Sequence, residues 1–202
     1  KDETGYAVAK MCSGNIFIPA AGGLQGGYSD ETLIALCNIA KAHKINKIII
    51  ESNFGDGAIT QLLRPHLNRI YKCSVEEVRQ NAQKEVRIIS SLEPVLNQHR
   101  LVIDPSVVQQ DYDTAMERYS PDVAPQYMLF YQMARLSKDK GSLKHDDRLD
   151  ALAMAVHYFN NRLELDQAEA ERLRQEAYWD SELKSYQDFI NGGVESRGLN
   201  FH

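Results

Sequence analysis

Residues 47–51 read Lys-Ile-Ile-Ile-Glu, and this run constrains the fold more than any other stretch. Three successive isoleucines suit a strand buried on both faces, because β-branched side chains are stiff and pack well on a pleated surface. The run ends at Glu51 and turns, through Ser52-Asn53-Phe54-Gly55-Asp56-Gly57, into a helical pattern from about Ala58 to Leu67. Strand, turn and helix in that order make the repeating unit of an α/β layer, and ligands in such sheets sit just beyond the carboxyl ends of the strands. Glu51 therefore stands where a site would be, although solvation alone also puts charged residues at strand ends.

The rest of the chain fits around that unit. Tyr6–Cys12 and Ile16–Pro19 flank the turn Ser13-Gly14-Asn15 and read as a β-hairpin. Ala20–Tyr28 contains four glycines and reads as a loop; no Gly-Lys-Ser/Thr follows, so it is not a phosphate-binding P-loop. Ser29 or Asp30 can cap a helix to about His43, with Leu33, Ile34, Cys37 and Ala40 as its apolar stripe. A helix over about Lys84–Gln98 contains Pro94, and Leu101–Ile103 is a short strand. The alternation in Tyr127–Leu136 favours a strand, and a long helix is expected from Asp146 or Asp147 to about Glu176.

At 202 residues the chain can hold one sizeable core, or one domain and an appendage. No apolar run approaches the roughly 20 residues of a membrane helix. The start, Lys1-Asp2-Glu3-Thr4-Gly5, has no signal-peptide core and no Met, and is expected to lie inside a longer protein. Cys12, Cys37 and Cys73 form no zinc pattern and suit a reducing compartment. A net charge of -5 argues against strong free-standing binding to nucleic acid, which needs a cationic surface.

A second acidic group lies in His145-Asp146-Asp147-Arg148-Leu149-Asp150-Ala151-Leu152-Ala153. On a helix Asp147 and Asp150 fall roughly 60° apart, beside the apolar face of Leu149, Leu152, Ala153 and Val156. Acids in a first helical turn also complement the helix dipole and cap its end. Capping explains one or two of them better than three. Beyond Phe159 the chain becomes strongly charged, and Trp179, Leu183, Tyr186 and Ile190 then recur at helical spacing before Gly192-Gly193. That stripe suits either packing on the chain's own domain or docking on a partner.

Together, Glu51–Gly57 and Lys144–Ala153 resemble the second and third acidic motifs of phage large terminase subunits, closest to the DNA maturase B type of short-tailed lytic phages. The resemblance runs on through Tyr71–Glu77 and Gln83–Ile89 and covers about Lys1 to Phe159. It implies an α/β fold with a ribonuclease H-like mixed sheet flanked by helices, residues 1–160, its first strand truncated. A charged helical extension, residues 161–202, follows. In that order Lys47–Glu51 runs parallel to the first strand. The family carries an ATPase domain ahead of its nuclease, and this chain has no ATPase motif. Holliday-junction resolvases share the Asp-x-x-Asp-Ala-Leu-Ala pattern matched by Asp147 to Ala153.

The resemblance implies a metal-dependent endonuclease of the viral packaging motor, cutting concatemeric duplex DNA when packaging starts and ends. Hard Mg²⁺ or Mn²⁺ ions, two in number, prefer carboxylate oxygen and supply a water nucleophile and charge relief. Catalysis falls to Glu51, Asp147 and Asp150. Glu51 and Asp147 are the expected direct ligands, and Asp150, Asp2 and Asp146 support them. Lys84, Arg87, Lys144 and His145 are expected to meet DNA, although a solvated helix face explains the first two as well. Expected partners are duplex DNA, the portal or procapsid, the small terminase subunit and the ATPase domain of the same polypeptide. A ring oligomer in the cytoplasm of the infected host, with no membrane, is the expected setting. The alternatives are a resolvase-type nuclease of the same fold, or a non-catalytic module that docks on the portal and guides DNA.

Overall fold

The computed structural model describes residues 3–51 and 57–195, with side chains described over 3–51, 57–160, 171–187 and 190. It divides into two compact units, Lys1–Asn160 and Asn161–His202. In the first, strands β1 (Thr4–Cys12) and β2 (Asn15–Leu24) form the expected antiparallel hairpin, with a register shift between Val8 and Lys10. On its far side β2 pairs in parallel with β5 (Leu101–Ile103). Strand β3 (Lys47–Glu51) pairs in parallel with β4 (Ser74–Val78). Among the described residues the strands thus form two hydrogen-bonded sheets, and β3 has β4 rather than β1 as its partner.

The hairpin corrects the loop expected over Ala20–Tyr28, because β2 continues to Leu24. Gly22 and Gly23, inside the strand, serve close approach, whereas Gly26 and Gly27 make the turn that follows, with φ of 105° and 62°. A Cβ on Gly22 would lie 3.2 Å from the Tyr6 hydroxyl, and one on Gly23 would fall within 1.9 Å of a Glu3 carboxylate oxygen. Side chains from β1 and from Glu3 just before it already occupy the space that larger residues would need.

Helix α1 (Asp30–Ala42) is capped by Ser29, whose Oγ accepts from the Thr32 N–H. Its buried Leu33 and Cys37 cluster with Leu63 and Leu67 of helix α2 (Ala58–Ile70), and Ile48, Ile50 and Val75 of the β3–β4 pair pack against them. Every residue of β3 is only half-buried, so the Ile-Ile-Ile run packs one face, Ile48 and Ile50, on this cluster rather than being buried on both faces. Pro94 sits inside α3 (Lys84–Asn97) without ending it. Helix α4 (Pro105–Arg118) begins at an Asp104 cap and has no counterpart among the sequence expectations.

Tyr127–Leu136 is not a strand. A 3₁₀ turn over Ala124–Tyr127 leads into helix α5 (Leu129–Arg135). The reason is tertiary: the Asp111 carboxylate, projecting from α4, accepts from the backbone N–H groups of Leu129 and Phe130 at 2.9 and 3.3 Å and caps the helix from a distance. Local alternation carries no trace of such a cap.

Helix α6 spans Asp147–Glu195, so Gly192-Gly193 lies within it rather than at its end. Its first turns bury Leu149, Leu152, Ala153 and Val156 completely or nearly so. In the second unit Trp179, Leu183, Tyr186 and Ile190 are each more than half exposed. No helix among the described residues is long and apolar enough to cross a membrane.

Candidate functional site

Three elements bring acids together: the end of β3, the start of α6, and α3, which lends two cations. Arg87 Nη2 lies 3.6 Å from Glu51 Oε1 and 2.9 Å from Asp150 Oδ1, so one guanidinium nitrogen joins the two acidic motifs. One turn earlier on α3, Lys84 Nζ meets Asp146 Oδ1 at 2.8 Å and Asp150 Oδ2 at 3.3 Å. Asp146 immediately precedes α6, and its carbonyl accepts from the Asp150 N–H at 2.8 Å, which sets the two residues one turn apart. Their carboxylates turn to α3 cations, a role beyond helix capping. Burial works against the Lys84 ammonium, yet the hydrogen bond to Asp146 and the field of Asp150 outweigh it and raise its pKa above the usual lysine value.

The expected site residues are thereby placed. Glu51, Asp146 and Asp150 converge. Asp147 opens α6, and its carbonyl is so close to β1 that a Cβ on Gly5 would lie 2.0 Å from it. Lys84 and Arg87, expected on a DNA backbone, are engaged by these acids. His145 stacks on Tyr127, with ring centres 3.9 Å apart, and Lys144 is exposed. Asp2 and the turn residues 52–56 lie outside the described residues.

The donors are all hard carboxylate oxygens, which is the right chemistry for a small divalent ion. Asp150 Oδ1 is buried and aligned with no hydrogen-bond donor, despite the nearby guanidinium. That oxygen has coordination capacity to spare. Among the described residues no three His, Cys, Asp or Glu groups are already arranged as a cage. Lys84 and Arg87 supply the positive charge that holds these carboxylates side by side.

Behind the acids lies a network that the sequence analysis missed. Arg148 is fully buried. Its Nε and Nη2 grip the Glu3 carboxylate at 2.8 and 3.0 Å, and Nη1 reaches Asp111 at 2.7 Å. Burial opposes the charge, but Glu3 and Asp111 outweigh it and raise the Arg148 pKa. The Leu149 N–H, one of the unpaired donors in α6's first turn, finds the Gln132 side chain at 3.0 Å. Tyr119 donates to Glu3 at 3.1 Å and stacks on Tyr127 at 3.7 Å, completing a ring stack of Tyr119, Tyr127 and His145. One signal was present: Arg148 shares the helical stripe of Leu152 and Val156, where a solvated arginine does not belong.

The connection between α5 and α6 is pinned from α3. Glu85 Oε1 accepts from the Gly141 N–H at 2.6 Å, and Gln83 Nε2 donates to the Lys138 carbonyl at 3.1 Å. The Gly141 N–H holds the Glu85 carboxyl below the usual glutamate range. A carboxyl depressed in the folded state stabilises above its unfolded pKa of about 4.3, and that contribution fades as pH falls through the folded value. The Gly141 amide is therefore expected to lose hydrogen-exchange protection as acidification passes below the ordinary glutamate range. Glu85→Gln should weaken that protection already at neutral pH. Protection that is unchanged at both pH values in both proteins would dismiss this pin.

Residues 1–101 match the family described as Terminase Bacteriophage T7, Ribonuclease H-like domain. Over 185 residues the chain is 42% identical to the large terminase subunit of Enterobacteria phage T3, a match covering 91% of this chain and 31% of that protein. The chain thus spans about a third of the length of the curated relative it matches.

Proposed function

Since this chain belongs to the phage T7 terminase family, in its ribonuclease H-like domain, we propose that it is the metal-dependent endonuclease part of a DNA-packaging motor. Its task on this reading is to cut concatemeric double-stranded DNA when packaging starts and ends. The observation that carries the reading is the joining of Glu51 to Asp150 and Asp146 through Arg87 and Lys84. Structural ion pairs have no need to gather acids from two distant motifs at a strand end.

Glu51, Asp147 and Asp150 would hold the metal, with Asp146 and Asp2 in support. Mg²⁺ or Mn²⁺ bound there, as one ion or a pair, supplies an acidified water and offsets charge on the phosphate. The chain's own residues do the rest. Arg87 and Lys84 keep the carboxylates in one place against their mutual repulsion. The Arg148 network fixes the first turn of α6, and the stack beneath His145 fixes that ring beside the acids. The rest of the machinery belongs to the same proposal. Duplex DNA is the substrate, an ATPase domain of the same polypeptide moves it, and the small subunit, the portal and a ring of copies complete the motor in the host cytoplasm. The exposed stripe of Trp179, Leu183, Tyr186 and Ile190 suits docking on the portal.

The test is plasmid cleavage by this chain extended upstream at its N-terminus. Supercoiled DNA should be nicked and linearised in Mn²⁺ or Mg²⁺ and left intact in EDTA, with little sequence preference. Cleavage that survives EDTA, or no cleavage with either metal, overturns the proposal.

A further inference from the structure

We propose that the cleft between α5 and the start of α6 is a seat for the sugar-phosphate backbone of DNA, with Arg135 and Lys144 as its phosphate contacts. The cleft has a volume of about 380 Å³ and is lined by Gln126, Tyr131, Arg135, Lys144 and His145 among others. Its charge runs against that of the chain. Residues 135–145 contain Arg135, Lys138, Lys140 and Lys144 against the single acid Asp139, within a protein of net charge -5. Positive charge concentrated in one stretch of an acidic chain is the electrostatic footprint of a phosphate-binding surface.

The state of these cations separates them from the pair on α3. Lys84 and Arg87 are spent on carboxylates. Arg135 and Lys144 are exposed, and among the described residues neither makes an ion pair. They are also presented on a fixed frame, since Glu85 and Gln83 pin the connection at Gly141 and Lys138. The aromatic rings of the cleft are already covered on one face. Arg135 lies over Tyr131 at 5.6 Å, and His145 lies against Tyr127. The exposed cations of the cleft can meet phosphate whatever the base sequence, which favours backbone contacts. His145 is followed directly by Asp146 and Asp147, so a strand seated here presents a neighbouring phosphate to the acids. Two unspent cations beside an acidic cluster offset its repulsion of that strand.

The inference rests on the proposed function only in naming DNA as the source of the phosphates, so its test measures binding without cleavage. Fluorescence anisotropy of a labelled short duplex, in EDTA and across a KCl series, is run on the parent, Arg135→Gln, Lys144→Gln, the double variant and a control, Lys41→Gln. Each cleft substitution should weaken binding and lower the slope of log K against log salt by about 1, and the double variant by about 2. The control should match the parent, and circular dichroism should show every variant folded. A double variant with the parent's affinity and slope overturns the inference, as does a parent that binds no duplex at low salt. Failure of the nuclease proposal has a different signature: cleft-dependent binding by a protein that cuts nothing.

Discussion

Replacing Arg148 with Met is expected to lower the unfolding free energy by about 3–5 kcal/mol, the range seen when one partner of a buried ion pair is removed. The substitution keeps the aliphatic volume and removes the charge. Asp111 then loses its counter-charge, Glu3 keeps only the longer Arg118 contact at 3.7 Å and the Tyr119 hydroxyl, and both carboxylates are nearly inaccessible to water. Asp111 keeps its hydrogen bonds from Leu129 and Phe130 and Glu3 keeps that from Tyr119, so the loss is of charge pairing at both carboxylates. Arg148→Lys should fall between the two, because it restores charge but not the fork that grips Glu3 at two points. Urea melts followed by circular dichroism give the comparison. A loss below about 1 kcal/mol for Arg148→Met, the scale of an exposed ion pair, would show that the network is not an anchor.

Asp147→Ala should leave the fold standing while cutting plasmid cleavage at least about a hundredfold. An acid at a helix start costs about 1 kcal/mol when removed, whereas losing a metal ligand removes several kcal/mol of charge stabilisation. The variant is made in the N-terminally extended chain, and melting is measured beside cleavage. Cleavage equal to the parent's would remove Asp147 from the metal site. Asp150→Ala should behave differently: it too loses cleavage, but it melts earlier, because Arg87 and Lys84 both lean on that carboxylate.

Much of this was legible in the sequence because it is written locally. The Ile-Ile-Ile run, the Ser29 cap and the hairpin turn each declare themselves within a few residues. Glu51 and the Asp146–Asp150 group could be named because their motifs are short and the family resemblance joins them. What stayed hidden depends on distant partners. Helix α5 owes its start to a carboxylate on α4, and the glycines of β2 answer to Tyr6 and Glu3 across the hairpin. Lys84 and Arg87 sit one turn apart on an amphipathic helix, and nothing in that spacing says that the exposed side faces acids rather than DNA.

Glu3 and Arg148 are 145 positions apart. During synthesis at about 5–20 residues per second, the arginine leaves the ribosome about 7–30 s after the glutamate it must grip. In that interval the β1–β2 hairpin can close, but Glu3 at its start has only Arg118 and Tyr119 to meet, so its burial is incompletely compensated until Arg148 arrives. Commitment of the first unit is thereby deferred until the acid-bearing helix has emerged. A nascent chain cut short of α6 would keep an ionised group at the surface that the finished protein hides.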